Sequence, residues 1–163
     1  MNTSMLFVLN DVSHDAYLLR WHVSDAAAGR LNSPEWWCGA DQGWQHNSPC
    51  RMISIRDAGT EFSVQTDPRG AGFVEVRSSG FGASNITMRH AERLEGPWDR
   101  EQTIYRPPES NAAEAFVYGA KSHPELSGAG MLVTYTANAN DAKLATDMTI
   151  YFPRFVRIDF REP

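Results

Sequence analysis

Apolar and polar residues alternate with a period of two along much of this chain, and no stretch sustains the 3.6-residue stripe of an amphipathic helix. Phe73, Glu75 and Arg77 alternate with Val74 and Val76, the pattern of a strand with one buried face and one wet face. The spacing predicts further strands over residues 5–12, 16–23, 61–67, 85–89, 102–105, 116–119, 131–136 and 149–160. Gly, Pro, Asp or Ser residues interrupt the chain between them. Helical signals are confined to residues 25–29, three alanines without a stripe, and to residues 111–114, one turn at most. Short strands about ten residues apart are the pattern of an all-β sandwich, barrel or propeller.

Composition narrows the function. With 163 residues the chain has room for one domain with a real core. A hydrophobic share of 42% places it among folding chains rather than disordered ones. The net charge is −5 and no basic run is present, so a nucleic-acid partner is excluded for want of a positive face. The longest apolar run covers residues 5–9, far short of the roughly 20 residues that span a bilayer, so no membrane partner is expected. Asn2, Thr3 and Ser4 carry no positive charge and Asp11 and Asp15 follow closely, so no signal peptide is read and localisation stays open. Cys38 and Cys50 lack a CxxC motif or a His pair at zinc spacing; they read as two buried thiols, with pairing reserved for an exported protein.

Several catalytic signatures are absent: GxSxG, GxGxxG after a strand, a Walker sequence and HExxH. Gly80-Phe81-Gly82 reads as a turn rather than a phosphate loop. Asn138-Ala139-Asn140-Asp141 offers oxygen ligands without an EF-hand around them, and no metal site is read. Arginine outnumbers lysine thirteen to two, an imbalance to which the sequence attaches no function.

The strands also group. Residues 60–106 hold four of them, residues 116–160 begin a similar series, and residues 5–44 resemble the later part of one more. Units of about 50 residues with four short strands suggest propeller blades, with approximate limits 1–49, 50–110 and 111–163 in a single domain.

Particular words in the sequence point the same way. Ile86-Thr87-Met88-Arg89-His90-Ala91, then Glu95-Gly96-Pro97-Trp98, then Ile104-Tyr105 resemble a blade of the five-bladed propeller glycosidases. Downstream come Tyr118-Gly119-Ala120-Lys121-Ser122-His123-Pro124-Glu125-Leu126-Ser127, the strand Met131-Leu132-Val133-Thr134-Tyr135, and Tyr151-Phe152-Pro153-Arg154-Phe155-Val156-Arg157-Ile158. Upstream, Tyr17-Leu18-Leu19-Arg20-Trp21, Glu35-Trp36-Trp37 and Gly43-Trp44 fit in the same order. Over residues 5–160 the chain resembles the C-terminal part of the domain of unknown function 4185, a relative of glycoside hydrolase family 43. The resemblance implies an all-β fold, about three four-stranded antiparallel blades of a five-bladed β-propeller, with the N-terminal blades missing. It implies a carbohydrate partner, and an endo-arabinanase-like activity on a furanose-containing polysaccharide if the chain is active. The alternative is a non-catalytic β module that binds carbohydrate, or that assembles with itself or with a missing N-terminal half. No cofactor is expected, an axial calcium being implied by the resemblance only.

Glycoside hydrolysis usually needs two carboxyl groups, one of them kept protonated by a setting that raises its pKa. By the resemblance, His123 and Glu125 lie at an innermost strand of the last blade. Glu125 is the candidate acid and His123 the residue that lines the cavity or orients a water. The plainer reading pairs Glu125 with an arginine such as Arg154 and leaves His123 on a buried carbonyl. Glu61 and Asp67 flank the inner strand of the preceding blade, and Glu61 is taken as a substrate contact. Asp11 and Asp15 read as solvated turn residues. Trp37 and Trp44 are candidates to stack on sugar rings, while Trp98 anchors a turn. Tyr118 and Arg154 complete the substrate-binding set.

Overall fold

The computed structural model describes residues 2–46, 50–80, 84–111, 115–126 and 130–160. Within them the chain forms twelve strands, two short α-helices and two 3₁₀ turns. The strands make three antiparallel sheets. The chain divides into two compact units, residues 1–60 with 93–98, and residues 61–92 with 99–163.

The first unit is built on β1 (Thr3–Leu9), β2 (Ala16–His22), β3 (Glu35–Trp37) and β4 (Trp44–His46), hydrogen-bonded in that order. A further strand, β5 (Ile53–Ile55), pairs with β2 at Ala16 and Tyr17. The expected strand over residues 5–12 stops at Leu9 because Asn10 Oδ1 accepts from the Val12 and Ser13 N–H groups, each at 2.9 Å. That side chain offers the backbone a turn instead of a ladder. Helix α1 (Val23–Ala27) follows β2, with His22 as its N-cap. Ala16, Leu18, Leu19, Ile55 and Ala58 are buried. Residues 93–98, which carry the Gly-Pro-Trp turn, return to this unit, where Ser54 Oγ donates to the Leu94 carbonyl at 2.7 Å.

Cys38 and Cys50, read from sequence as separate thiols, are joined by a disulfide, with Cα atoms 5.5 Å apart. The missing cue was proximity: the β3–β4 pairing turns the chain back so that the two residues meet. The bond closes the loop that carries β4, and restricting an unfolded loop of this size contributes roughly 3 kcal/mol.

The second unit holds a meander, β6 (Phe62–Thr66), β7 (Phe73–Ser78), β8 (Ile86–Ala91) and β9 (Gln102–Tyr105), in sequential order. Beside it lies a sheet of β10 (Ala115–Ser122), β11 (Met131–Ala139) and β12 (Arg154–Ile158). Val74, Val76, Ile86 and Met88 from the meander form one core with Val117, Ala120, Met131, Val133, Tyr135 and Ala137. Polar ties hold β10 to the meander: Ser122 N donates to Ser63 Oγ at 2.8 Å, and Ala120 N to Ser78 Oγ at 3.1 Å.

The wet face expected on β7 is in fact buried: Glu75 is 0% and Arg77 4% exposed. Alternation records that this face is polar, but not that charges compensate one another on it. Glu75 lies in register with Arg89, and both Arg77 and Arg89 donate to Glu101 Oε2, at 2.6 and 3.2 Å. Charges leave water at tolerable cost only when paired. The expected strand over 149–160 is shorter too. Residues 148–151 form a 3₁₀ turn, and Pro153, which has no N–H, precedes β12. The Asn-rich stretch 138–141 ends in a helix start, with Asn140 Oδ1 accepting from Lys143 N at 2.9 Å ahead of α2 (Asp141–Thr146). Phe81 and Gly82 of the glycine turn, residues 112–114 of the expected helical turn, and Ser127 lie outside the described residues. The 3₁₀ turn Pro108–Asn111 immediately precedes 112–114.

Arg77→Met removes one partner from the buried cluster, and a loss of about 3–5 kcal/mol is expected. Urea unfolding at pH 7 checks this through the midpoint; a loss under about 1 kcal/mol would mean that the cluster does not depend on its pairing.

Candidate functional site

The register of the first sheet lines up charged and aromatic side chains on one face. Met5 pairs with Arg20, Arg20 with Glu35, and Glu35 with His46. Two residues further along β3, Trp37 pairs with Trp44 on that same face. Arg20 Nε donates to Glu35 Oε2 at 2.7 Å, and His46 Nε2 lies 4.0 Å from the other carboxylate oxygen. The Arg20 guanidinium also sits 4.3 Å above the Trp44 ring, a cation–π contact, and Trp44 meets Trp37 at 5.5 Å between ring centroids.

A second pair closes the other side. Arg30 folds back on the helix, donating from Nη2 to Asp25 Oδ1 at 2.7 Å. Trp21 Nε1 donates to the Leu31 carbonyl at 3.2 Å, which fixes the indole beside the strand end. Between the two pairs lies a cleft of about 510 Å³, lined among others by Arg20, Trp21, Arg30, Asn32, Glu35 and His46. The hydrogen bond from Arg20 holds the Glu35 carboxyl below its ordinary range, against the upward push of burial. Each of the two guanidinium groups lining the cleft is therefore matched by a carboxylate.

Trp37 and Trp44, singled out from sequence, come together here, but Trp44 has Arg20 over its ring and packs on Trp37. Its indole also bonds to Glu95, whose carboxyl burial pushes up and Arg93, Trp44 and a backbone N–H together pull below the usual range. Of the residues that line the cleft, Arg20, Trp21 and Glu35 stood inside the sequence words that carry the resemblance, but none was assigned a role. Their signal was an arginine inside an aromatic strand and a glutamate opening a three-residue strand, too short for periodicity to register.

The remaining candidates lie in the second unit. Tyr118 pairs with Thr136 and Lys121 with Thr134, and His123 bonds to the Thr134 hydroxyl, so Tyr118, His123 and Glu125 share one face of the third sheet. Glu125 is exposed, and its own backbone N–H together with His123 holds its carboxyl below the ordinary range. A general acid needs the opposite shift. Glu61 stands against Gly119: a Cβ there would come within 3.0 Å of Glu61 Oε2.

Arg154 faces the core side. Its Nε donates to Glu109 Oε1 at 3.0 Å, and Tyr135 donates to the other oxygen at 2.8 Å. Its carboxylate partner is therefore Glu109 and not Glu125. Burial pushes the Tyr135 phenol upward, and its bond to Glu109 adds to the shift.

Asp67 is buried. Burial pushes its carboxyl up, but Arg69, with Nη2 2.6 Å and Nε 2.9 Å from it, brings it net below its ordinary value. His90 stands between Asp67 and Asp99, at 3.7 and 3.5 Å, in a recess of about 290 Å³. Among the described residues no group of three or more His, Cys, Asp or Glu side chains is arranged to hold a cation, and we assign no calcium ligands.

The fold and this cleft define an all-β protein of antiparallel sheets with a charge-balanced polar site. The chain belongs to the family described as Domain of unknown function (DUF5005), whose model matches residues 10–160. A comparison with curated proteins gave no match.

The lowered Glu35 pKa has a pH signature. A carboxyl depressed in the folded state contributes stability above its unfolded pKa, near 4.5, and that contribution is lost as pH falls through the folded value. The melting temperature is expected to drop below about pH 4.5, with Glu35→Gln lowering it at pH 7 and flattening part of the drop. Melting curves from pH 7 to 2 check this; identical profiles for the two proteins would contradict it.

Proposed function

We propose that the chain binds a neutral carbohydrate in the cleft of the first unit and does not hydrolyse it there. The observation that carries this reading is the charge balance of the lining. Arg20 is compensated by Glu35 and Arg30 by Asp25, so a charged ligand has to break an ion pair to enter. A hydroxyl-rich ligand does not. Each guanidinium keeps further N–H donors, and each carboxylate keeps lone pairs, for the donor and acceptor roles of vicinal hydroxyl groups. Trp21 supplies an apolar flank for the C–H face of a sugar ring. The cleft volume falls in the range of small-molecule sites.

The same reading takes the sheets as part of a five-bladed propeller of the domain of unknown function 4185 type, related to glycoside hydrolase family 43. The sequential meander β6-β7-β8-β9 supports it, because a propeller blade is a four-stranded antiparallel sheet. A furanose-containing polysaccharide is the ligand class that this relation favours. Binding is preferred to hydrolysis because Glu35, Asp67 and Glu125 all sit in settings that keep them ionised. Hydrolysis by paired carboxyls needs one of them protonated near neutral pH.

Affinity electrophoresis in gels containing arabinan, galactan or polygalacturonate tests this. Retardation is expected in at least one neutral polymer and not in polygalacturonate. Arg30→Ala and His46→Ala, both at exposed side chains, are expected to weaken it about tenfold with the melting temperature little changed, the size of one lost hydrogen bond to a charged group. Glu125→Gln is expected to leave it unaltered. No retardation in either neutral polymer, or equal retardation of the Arg30 and His46 variants, would refute the assignment.

A further inference from the structure

The third sheet carries a hydrogen-bonded chain that carbohydrate binding in the cleft leaves unused. The backbone N–H of His123 donates to the Leu132 carbonyl at 2.9 Å, which seats the imidazole over β11. Nδ1 of that ring is 2.8 Å from Glu125 Oε1, and Nε2 is 2.7 Å from Thr134 Oγ1. An ionised carboxylate only accepts, so in the neutral ring the proton sits on Nδ1. Nε2 is then an acceptor, and the Thr134 hydroxyl donates to it. Carboxylate, imidazole and hydroxyl in this order form the arrangement that turns a hydroxyl into a nucleophile.

The surroundings of Thr134 suit that role. The strand register sets Lys121 opposite it on β10 and Phe155 opposite it on β12, all on one face of the sheet. Side chains facing one another across a ladder have Cβ atoms about 5 Å apart, within reach of a lysine ammonium. Phe155 is 65% exposed and offers an apolar platform, while Thr134 and His123 are half-buried and open to a small molecule.

We propose that Thr134 is the nucleophile of an acyl-transfer site, with His123 as general base, acting on small uncharged esters. Thr134 Oγ forms a bond to the ester carbonyl carbon while its proton passes to His123 Nε2. Lys121 faces the negative charge that develops on the carbonyl oxygen. The ester C–O bond then breaks, and the leaving alkoxide takes the proton back from His123. Water then gives a proton to the same imidazole as it bonds to the acyl carbon; the bond to Thr134 Oγ breaks, Thr134 Oγ takes that proton back, and the acid is released. Glu125 touches no reacting atom; it positions the ring and its tautomer.

The whole chain is treated with p-nitrophenyl acetate and, separately, with a fluorophosphonate probe followed by peptide mass mapping. Release of p-nitrophenol above the buffer rate is expected, with a single probe adduct on Thr134. Thr134→Val, a substitution suited to a strand, and His123→Ala are each expected to lower turnover at least about a hundredfold. Thr134→Ser is expected to restore it, and Glu125→Gln to displace the pH profile of turnover. Melting temperatures within a few degrees of the parent identify variants that still fold. Turnover in Thr134→Val equal to the parent, an adduct elsewhere, or neither adduct nor turnover would overturn the assignment.

Discussion

The guanidinium of Arg20 donates to Glu35 across the β2–β3 register at 2.7 Å and covers the indole of Trp44 on β4 at 4.3 Å, so that one side chain ties three strands of the first sheet together. Much of the cleft depends on that side chain. Glu35 stays ionised because Arg20 is beside it, and Glu35 in turn faces His46. The aromatic pair Trp37–Trp44 is fixed on the same face, and the Cys38–Cys50 bond closes the short loop between them and β5. A lysine in place of Arg20 would keep the charge but lose the planar group that bonds a carboxylate along its edge and stacks on an indole with its face.

The same device recurs through the chain. Arg77 and Arg89 meet at Glu101 on the buried face of the meander, Arg69 clamps Asp67, and Arg154 clamps Glu109. Each carboxylate is removed from water to some degree, and each is kept ionised by a planar partner rather than neutralised by protonation. The excess of arginine over lysine thus has a structural reading: these sheets place charges on faces that also pack. The second unit also holds a carboxylate–imidazole–hydroxyl chain, Glu125–His123–Thr134, that is linked without a guanidinium.

The long strands were legible because their alternation runs over enough residues to be unambiguous, as in Phe73–Ser78 and Met131–Ala139. The three-residue strands at Glu35, Trp44 and Ile53 were not, since three residues fit any period. Alternation also failed on β7 for an instructive reason: it distinguishes apolar from polar, and burial of Glu75 and Arg77 depends on partners that arrive from β8 and from the turn before β9. The cysteines were misread because their pairing is a consequence of the β3–β4 hairpin. For the candidate sites, motif words drew attention to Trp37, Trp44, His123 and Glu125. Arg20 and Thr134 stood inside the motif words without a role, and Arg30 stood outside them, because their roles come from register and not from spacing along the chain.

We propose that the cleft is the place where a neutral, hydroxyl-rich ligand is held. The most direct measurement is a titration of the isotopically labelled chain with neutral arabino- and galacto-oligosaccharides, followed by amide and indole N–H chemical shifts. The Trp21 indole proton, bonded to the Leu31 carbonyl, and the amides of residues 20–35 and 44–46 are expected to shift together in a saturable manner for at least one sugar. Shifts confined to the face carrying Tyr118 and Thr136, or saturable shifts only with an anionic oligosaccharide, would contradict it.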